Sequence, residues 1–452
     1  MKFEPQPYLF FIWENYAAEL GVEYQQSLDE GLDIEQYKDL FEAVKKLPND
    51  ENKVNFANSI FELISNAKTR EGYKYNEPSS LEEIKKLRNL SLLKKPSKNN
   101  VPLKKKIEGA WFGRICGCLL GKTVEGAWTE TILDIAKSSD NFPIHRYFLS
   151  TDLKDEVLKK TGALWIKNNV TADKITMAPF DDDTNYTVMA QCMVDYHGMD
   201  FKPRDVLETW VRYQGREAYC TAERVAYKNY ISGFVPPQTA MYKNPYREWI
   251  GAQIRGDYYG YITSDPEKAA ELAFNDASIS HIKNGIYGEM FVSAMLAYAH
   301  KSDNIIDVIN AGLSQIPSTS RLYEEVSGAI DDFNNGMTEE ESFEKFNKKY
   351  NYKFSHDWCH TISNAIIVTL SLLYGNGNYG KSICRAVQTG FDTDCNGATV
   401  GSILGMMYGI DNIGEEWTGV VHNTLRTQIF GHEKVKVSDL VKKTIEHIKK
   451  FK

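Results

Sequence analysis

Three consecutive acids, Asp181-Asp182-Asp183, stand with Thr184 directly before the amphipathic stretch Tyr186 to Tyr196. Far downstream, Gly390-Phe391-Asp392-Thr393-Asp394-Cys395-Asn396 precedes a second helical stretch in the same manner. A helix N-terminus uses one acid as a cap and gains from its dipole, so three exceed what capping needs. If the two clusters converge, their five carboxylates cannot all stay ionised without a counter-charge. Hard oxygen ligands of this kind suit Mg²⁺, Mn²⁺ or Ca²⁺, and one ion would leave excess charge, which makes two plausible. Asp392 to Gly397 opens like an EF-hand loop, but its twelfth position is Ile403, where a bidentate Glu is required. Zinc spacings are missing, since the chain has neither CxxC nor HExxH.

Glu125 ends the segment Gly121-Lys122-Thr123-Val124-Glu125, where an acid released from a small-residue helix can serve as a general base or position water. His281 and His360 lie in polar, aromatic surroundings near expected helix starts, where a structural role is the commoner one. Arg255 offers a bidentate fork that suits a phosphate or a structural ion pair equally. No GxSxG, Walker A or GxGxxG motif follows a strand pattern, so serine-hydrolase, nucleotide-loop and dinucleotide readings lack support.

The elements that must position these residues are helical. Gly109, Gly113, Gly117 and Gly121 recur every four residues, as do Gly397, Gly401, Gly405 and Gly409. Glycine costs about 1 kcal/mol per helical position against alanine, and close approach of two helix backbones is the compensating gain. The two stripes read as central helices packed on each other. Ile34, Tyr37, Leu40, Phe41, Val44 and Leu47 form one expected buried face. Asp265-Pro266-Glu267 opens a helix, and Thr338 with Glu341 makes a capping box. Further periodic stretches cover 205–230, 284–300, 318–334, 360–374, 396–409 and 437–451, and strand-like alternation is nearly absent. The expected fold class is therefore all-α.

The chain has 452 residues, 42% hydrophobic and 25% charged, a globular composition. Its net charge of −8 disfavours a generic nucleic-acid or anionic-membrane binder. The early apolar run Tyr8 to Trp13, with Glu4 ahead of it, is too short for a signal-peptide core, and no stretch reaches the roughly 18 apolar residues of a membrane span. Seven cysteines without paired short spacings point to free thiols and a cytoplasmic setting. Residues 85–106 carry nine basic residues and no acid, broken by Pro96 and Pro102. They read as a linker between an N-terminal helical region, 1–84, and a body, 107–452.

With these motifs assembled, the body resembles the ADP-ribosylglycohydrolase family. Gly109 to Glu125 looks like the family's glycine-rich helix with its catalytic Glu, Asp182-Asp183-Thr184 like its first metal motif, Ser280-His281 like its Thr-His element, and Gly390 to Gly409 like its GGDTD segment. The resemblance implies a compact orthogonal bundle holding two Mg²⁺ or Mn²⁺ ions, and hydrolysis of a ribosyl N- or O-glycosidic bond. The substrate would be protein-linked or small-molecule ADP-ribose, or a smaller nucleoside-like glycoside; a non-catalytic member of the fold is the alternative. By carry-over the metal set is Asp182, Asp183, Asp392 and Asp394 with the adjoining Asp181 and Cys395. Glu125 and Asp183 are catalytic, and Glu125, His281, Arg255, Asn284 and Gly390 are the substrate-binding candidates. Two positions depart from the family. Asp181 stands for a Thr and adds a negative charge, and Cys395 stands for a Thr and offers Mg²⁺ a soft thiol.

Overall fold

A computed structural model describes residues 11–97 and 99–451. Glu4, the first three residues of the run Tyr8 to Trp13, and Lys98 of the basic stretch lie outside them. The described chain is all-α apart from one antiparallel ribbon, Thr424–Arg426 with Lys434–Lys436. No described helix is long and apolar enough to cross a membrane.

The two glycine stripes organise the body. They lie on the helices Leu103–Lys122 and Thr393–Tyr408, which run antiparallel, with Gly409 just past the end of the second. A methyl group added at Gly109, Gly113 or Gly117 would fall on the carbonyl oxygen of Gly405, Gly401 or Gly397 respectively, and the reverse additions meet the same partners. At the end of the row Gly121 abuts the backbone of Thr393 and Asp394. Backbone therefore touches backbone over about three helical turns, which only glycine permits. The pairing is tied by polar contacts to main-chain oxygens: Thr393 Oγ1 donates to Gly121 O at 3.0 Å, and Tyr379 OH to Gly113 O at 2.8 Å.

Around this pair the other helices of the body pack into one large core. The periodic stretches at 284–300, 318–334, 360–374, 396–409 and 437–451 form Lys283–Ala299, Arg321–Asn334, Thr361–Gly375, Thr393–Tyr408 and Val437–Lys450. Asp265 caps Pro266–Ala277 by accepting from Glu267 N, and Thr338 and Glu341 make the reciprocal box of Glu339–Lys349. The stretch 205–230 divides into Pro203–Tyr213 and Thr221–Ile231, because Gln214 is extended and bridges to Ile429. At 34–47 a 3₁₀ turn, Glu35–Tyr37, leads into a shorter helix, Lys38–Lys45. Ile34, Phe41 and Val44 are buried there, but Leu40 is 41% exposed, about 100° round the helix from Phe41 and beyond the reach of the small cluster it joins.

That small cluster, which includes Tyr16, Leu20, Phe41 and Ile60, is separate from the main core. Buried ion pairs fasten its region to the body. Arg224 meets Glu14 at 2.6 Å, Arg247 meets Glu30 at 2.6 Å and Glu23 at 2.8 Å, and Arg321 meets Glu77 and Glu248 at 2.8 Å each. In the basic stretch Lys85 pairs with Glu271 and Arg88 with Glu267, so these side chains also lie against the body.

The glycine contacts make a direct prediction. Alanine is the better helix former, yet Gly117→Ala drives a methyl into the facing backbone and is expected to destabilise by about 3 kcal/mol. Gly328→Ala, where an added methyl meets nothing within 4 Å, is expected to stabilise by about 1 kcal/mol at most. Urea denaturation of both variants measures this; equal effects would contradict backbone contact at Gly117.

Candidate metal and glycosidic site

The antiparallel register sets the C-terminal end of the first glycine helix, with Lys122 and Glu125, beside the N-terminal end of the second, with Asp392 to Asn396. The helix Asp182–His197 brings its own N-terminus to the same place. Both acidic clusters thus converge, each on the positive end of a helix dipole. Asp181, Asp182, Asp183 and Asp394 each offer a carboxylate oxygen, and these oxygens all lie within 4.8 Å of one another. Cys395 Sγ also lies within 4.8 Å of a carboxylate oxygen of Asp183 and of Asp394. Asp392 completes the cluster, with Cys359 Sγ 3.7 Å from its Oδ2.

Two cations from the first glycine helix enter this group, and the sequence pattern alone had drawn attention to neither. Arg114 is fully buried; its Nε donates to Asp183 O at 2.9 Å and an Nη to Asp183 Oδ1 at 3.1 Å, while the other Nη lies 3.0 Å from Asp257. Lys122 Nζ lies 2.5 Å from Asp181 Oδ2 and 3.5 Å from Glu125. Asp181 caps its helix through Oδ1, which accepts from Asp183 N at 2.9 Å, so both of its oxygens are engaged.

The remaining carboxylates are poorly satisfied. Asp183 Oδ2 and Asp394 Oδ1 are buried and have no hydrogen-bond partner in the described structure. Burial, then the charge of Asp181, pushes the Asp183 carboxyl well up against the opposing pull of Arg114. Burial, then Glu125 and Asp181, does the same to Asp394. Asp182 rises through burial, Asp181 and Glu125. Asp181 differs: burial pushes it up, but Lys122 outweighs that and holds it below the usual range. Buried oxygen atoms without donors, at the ends of two helix dipoles, fit a hard divalent cation. Cys395 fits it poorly, since burial and Asp183 keep its thiol protonated.

Glu125 reaches the cavity with a side chain 44% exposed, and its carboxyl is pushed up to about 7 by partial loss of water inside the cavity and by Asp181 and Asp392, against Lys122. The cavity, about 410 Å³, opens over Glu125, Asp182, Asp392, Asp394 and Cys395. Its walls are Trp249, Trp358, Tyr246, Cys220 and Glu223, and the N-terminal region adds Ile12, Trp13 and Glu19. Those three had no motif to mark them.

The other substrate-binding candidates lie behind this wall. Arg255 is fully buried and its donors are spent on Asp276, Glu223 and Ser280, so it braces Glu223 rather than facing the cavity. His281 is buried against Ser280, and burial with nearby Arg255 keeps it neutral. Asn284 joins Glu248 and Glu77 to the helix Arg321–Asn334 by accepting from Leu322 N. Gly390 adopts φ +82° and packs on Thr129, turning the chain into the second acidic segment. His360 is a helix cap whose Nδ1 accepts from Ile362 N.

A solved structure described as an ADP-ribosylglycohydrolase-related protein complex is similar at 14% identity and a TM-score of 0.44, covering 77% of this chain and 98% of that one. No curated protein sequence matches. Residues 99–448, which include both glycine helices and every carboxylate of the cluster, match the sequence profile of the ADP-ribosylglycohydrolases. The chain belongs to the ADP-ribosylglycohydrolase family.

Proposed function

We propose that this protein is a divalent-metal-dependent glycohydrolase that cleaves a ribosyl N- or O-glycosidic bond. The observation that carries the reading is the pair of buried, unpartnered oxygens, Asp183 Oδ2 and Asp394 Oδ1, in an acidic cluster whose Asp182, Asp392 and Asp394 line a cavity bordered by Glu125. A bundle kept only for its shape gains nothing by holding so much like charge together. Asp182, Asp183, Asp392 and Asp394 would hold Mg²⁺ or Mn²⁺, which when bound polarises substrate oxygens and acidifies water. Glu125, beside the cavity floor, accepts a proton from the attacking water. The remaining carboxylates favour positive charge developing at the anomeric carbon.

Members of the family are expected to act on ADP-ribosylated substrates, but the cavity favours a second, narrower reading: a nucleoside-like ribosyl glycoside without a diphosphate. Among the described residues that line it there is no Lys or Arg, while Glu19 and Glu223 would face the phosphates and Trp13, Trp249 and Trp358 offer ring faces. In this reading residues 1–84 select the substrate, joined to the body 107–452 through 85–106. Seven free cysteines support a cytoplasmic setting.

Chelator-stripped protein is expected to gain thermal stability on adding Mg²⁺ or Mn²⁺, by about 2.7 kcal/mol at a hundredfold excess over Kd. Asp183→Asn and Asp394→Asn should each abolish that gain, and an unchanged gain in both would refute the metal reading. Glu125→Gln should keep the metal response yet lower kcat by about 10²- to 10⁴-fold. A base must be ionised, so wild-type kcat/KM should rise with pH toward 7 and level off above it, with the rise moved lower by a bound cation. In calorimetric titration adenosine should bind the metal-loaded protein at least as tightly as ADP-ribose. Trp13→Ala should raise KM for a ribosyl substrate with little change in kcat; a much tighter ADP-ribose complex would favour the wider reading.

A further inference from the structure

We infer that Lys122 is a tethered cation that fills one of the two positive positions of the acidic cluster, so that the protein binds one divalent ion and not two. The inference rests on the metal reading above and concerns stoichiometry. Asp181 carries a negative charge where the family has a neutral hydroxyl, and Lys122 Nζ stands 2.5 Å from its Oδ2. That is within the 2.0 to 2.6 Å or so at which a divalent ion meets a carboxylate oxygen, so the ammonium stands where a cation on this side of the cluster would stand. The other oxygen of Asp181 is committed to Asp183 N. Each oxygen of Asp181 is thus already engaged, one of them by a full positive charge, which makes Asp181 a weaker metal ligand than its type and position suggest.

Lys122 is held in this place by its element. It occupies the last turn of the first glycine helix, where the dipole favours a cation, and Gly121 just before it lies against the backbone of Thr393 and Asp394. Its side chain is 21% exposed and the carboxylate it meets 2%, so the ammonium is drawn inward to the pair rather than into solvent. Glu125 lies 3.5 Å away on its other side. Of the acids grouped with Asp181, the unpartnered oxygens of Asp183 and Asp394 remain, with Asp182 beside them, for a single ion. Asp181 and Lys122 are thus an added acid and an added base that cancel each other.

The test is Mn²⁺ titration of chelator-stripped full-length protein, with metal content by mass spectrometry and the electron paramagnetic resonance spectrum of the loaded form. Wild type is expected to bind one Mn²⁺ per chain with the six-line signal of an isolated ion. Lys122→Met should bind a second ion, with the spectrum of two coupled ions, whereas Lys122→Arg should stay at one. If Lys122→Met does not fold, the double variant Lys122→Ala with Asp181→Thr, which removes both charges together, carries the same expectation. Two coupled ions in wild type, or one ion in every variant, would overturn the inference while leaving the metal reading intact. No Mn²⁺ in any of them would overturn both.

Discussion

Like charges gathered in a dry interior set the terms on which this molecule is built. Five aspartates and Glu125 meet at one point, and each carboxylate taken out of water raises the cost of ionising the next. Fixed positive charge answers part of that cost. Arg114 takes one oxygen of Asp183, Lys122 takes one of Asp181, and two helix N-termini point at the cluster. What they leave unanswered is local and specific: the carboxyls of Asp182, Asp183 and Asp394 remain pushed well up, and two of their oxygens have no donor. The shortfall is what a cation relieves, so the site's affinity for an ion is the residue of an incomplete electrostatic balance.

Holding that balance requires that the helices carrying the charges come together without side chains between them. Glycine-on-glycine packing does this along the whole length of the central pair, and it places Lys122 and Glu125 beside Asp392 and Asp394 by geometry alone. The N-terminal region acts at a different level. Its own small core and its buried ion pairs with Arg224, Arg247 and Arg321 fix Trp13 and Glu19 over the cavity mouth. Chemistry is thus assembled from the glycine helices, and the shape of the opening is finished by a segment outside the family match.

The residues that a reader of the sequence can find are those whose pattern is local. Glycine every fourth residue, acids in a row before an amphipathic stretch, and an Asp-Pro-Glu cap all carry their meaning within a few positions, and each lies where that pattern puts it. Arg255, Asn284 and His281 show the limit. The sequence leaves their partners unnamed: Arg255 is spent on Glu223 and Asp276, and Asn284 on Glu248 and Glu77, 21 to 207 residues away in the chain, which no spacing announces. Lys122 is hidden for the opposite reason, since a lysine at a helix end is ordinary until Asp181, 59 residues on, is seen against it. Trp13 and Glu19 belong to a cavity wall made by tertiary docking alone, and Leu40 shows that a periodic position is buried only if there is a core wide enough to cover it.

A row of identical spacers has a further property: it does not specify its own alignment. Sliding one glycine helix along the other by a single repeat would again set glycine against glycine over most of the row, while displacing its end by about 6 Å. Such a slip would carry Lys122 and Glu125 away from Asp392 and Asp394 without spoiling the packing that brought the helices together. The alignment must be chosen by groups that do not repeat. Thr393 on Gly121 O, Tyr379 on Gly113 O, and Tyr261 reaching both Ala110 O and Ser402 Oγ occur once each. These hydroxyls act as index marks on an otherwise uniform scale. A chain lacking them would retain a tight helical pair with more than one resting position, and an acidic cluster assembled in only one of them.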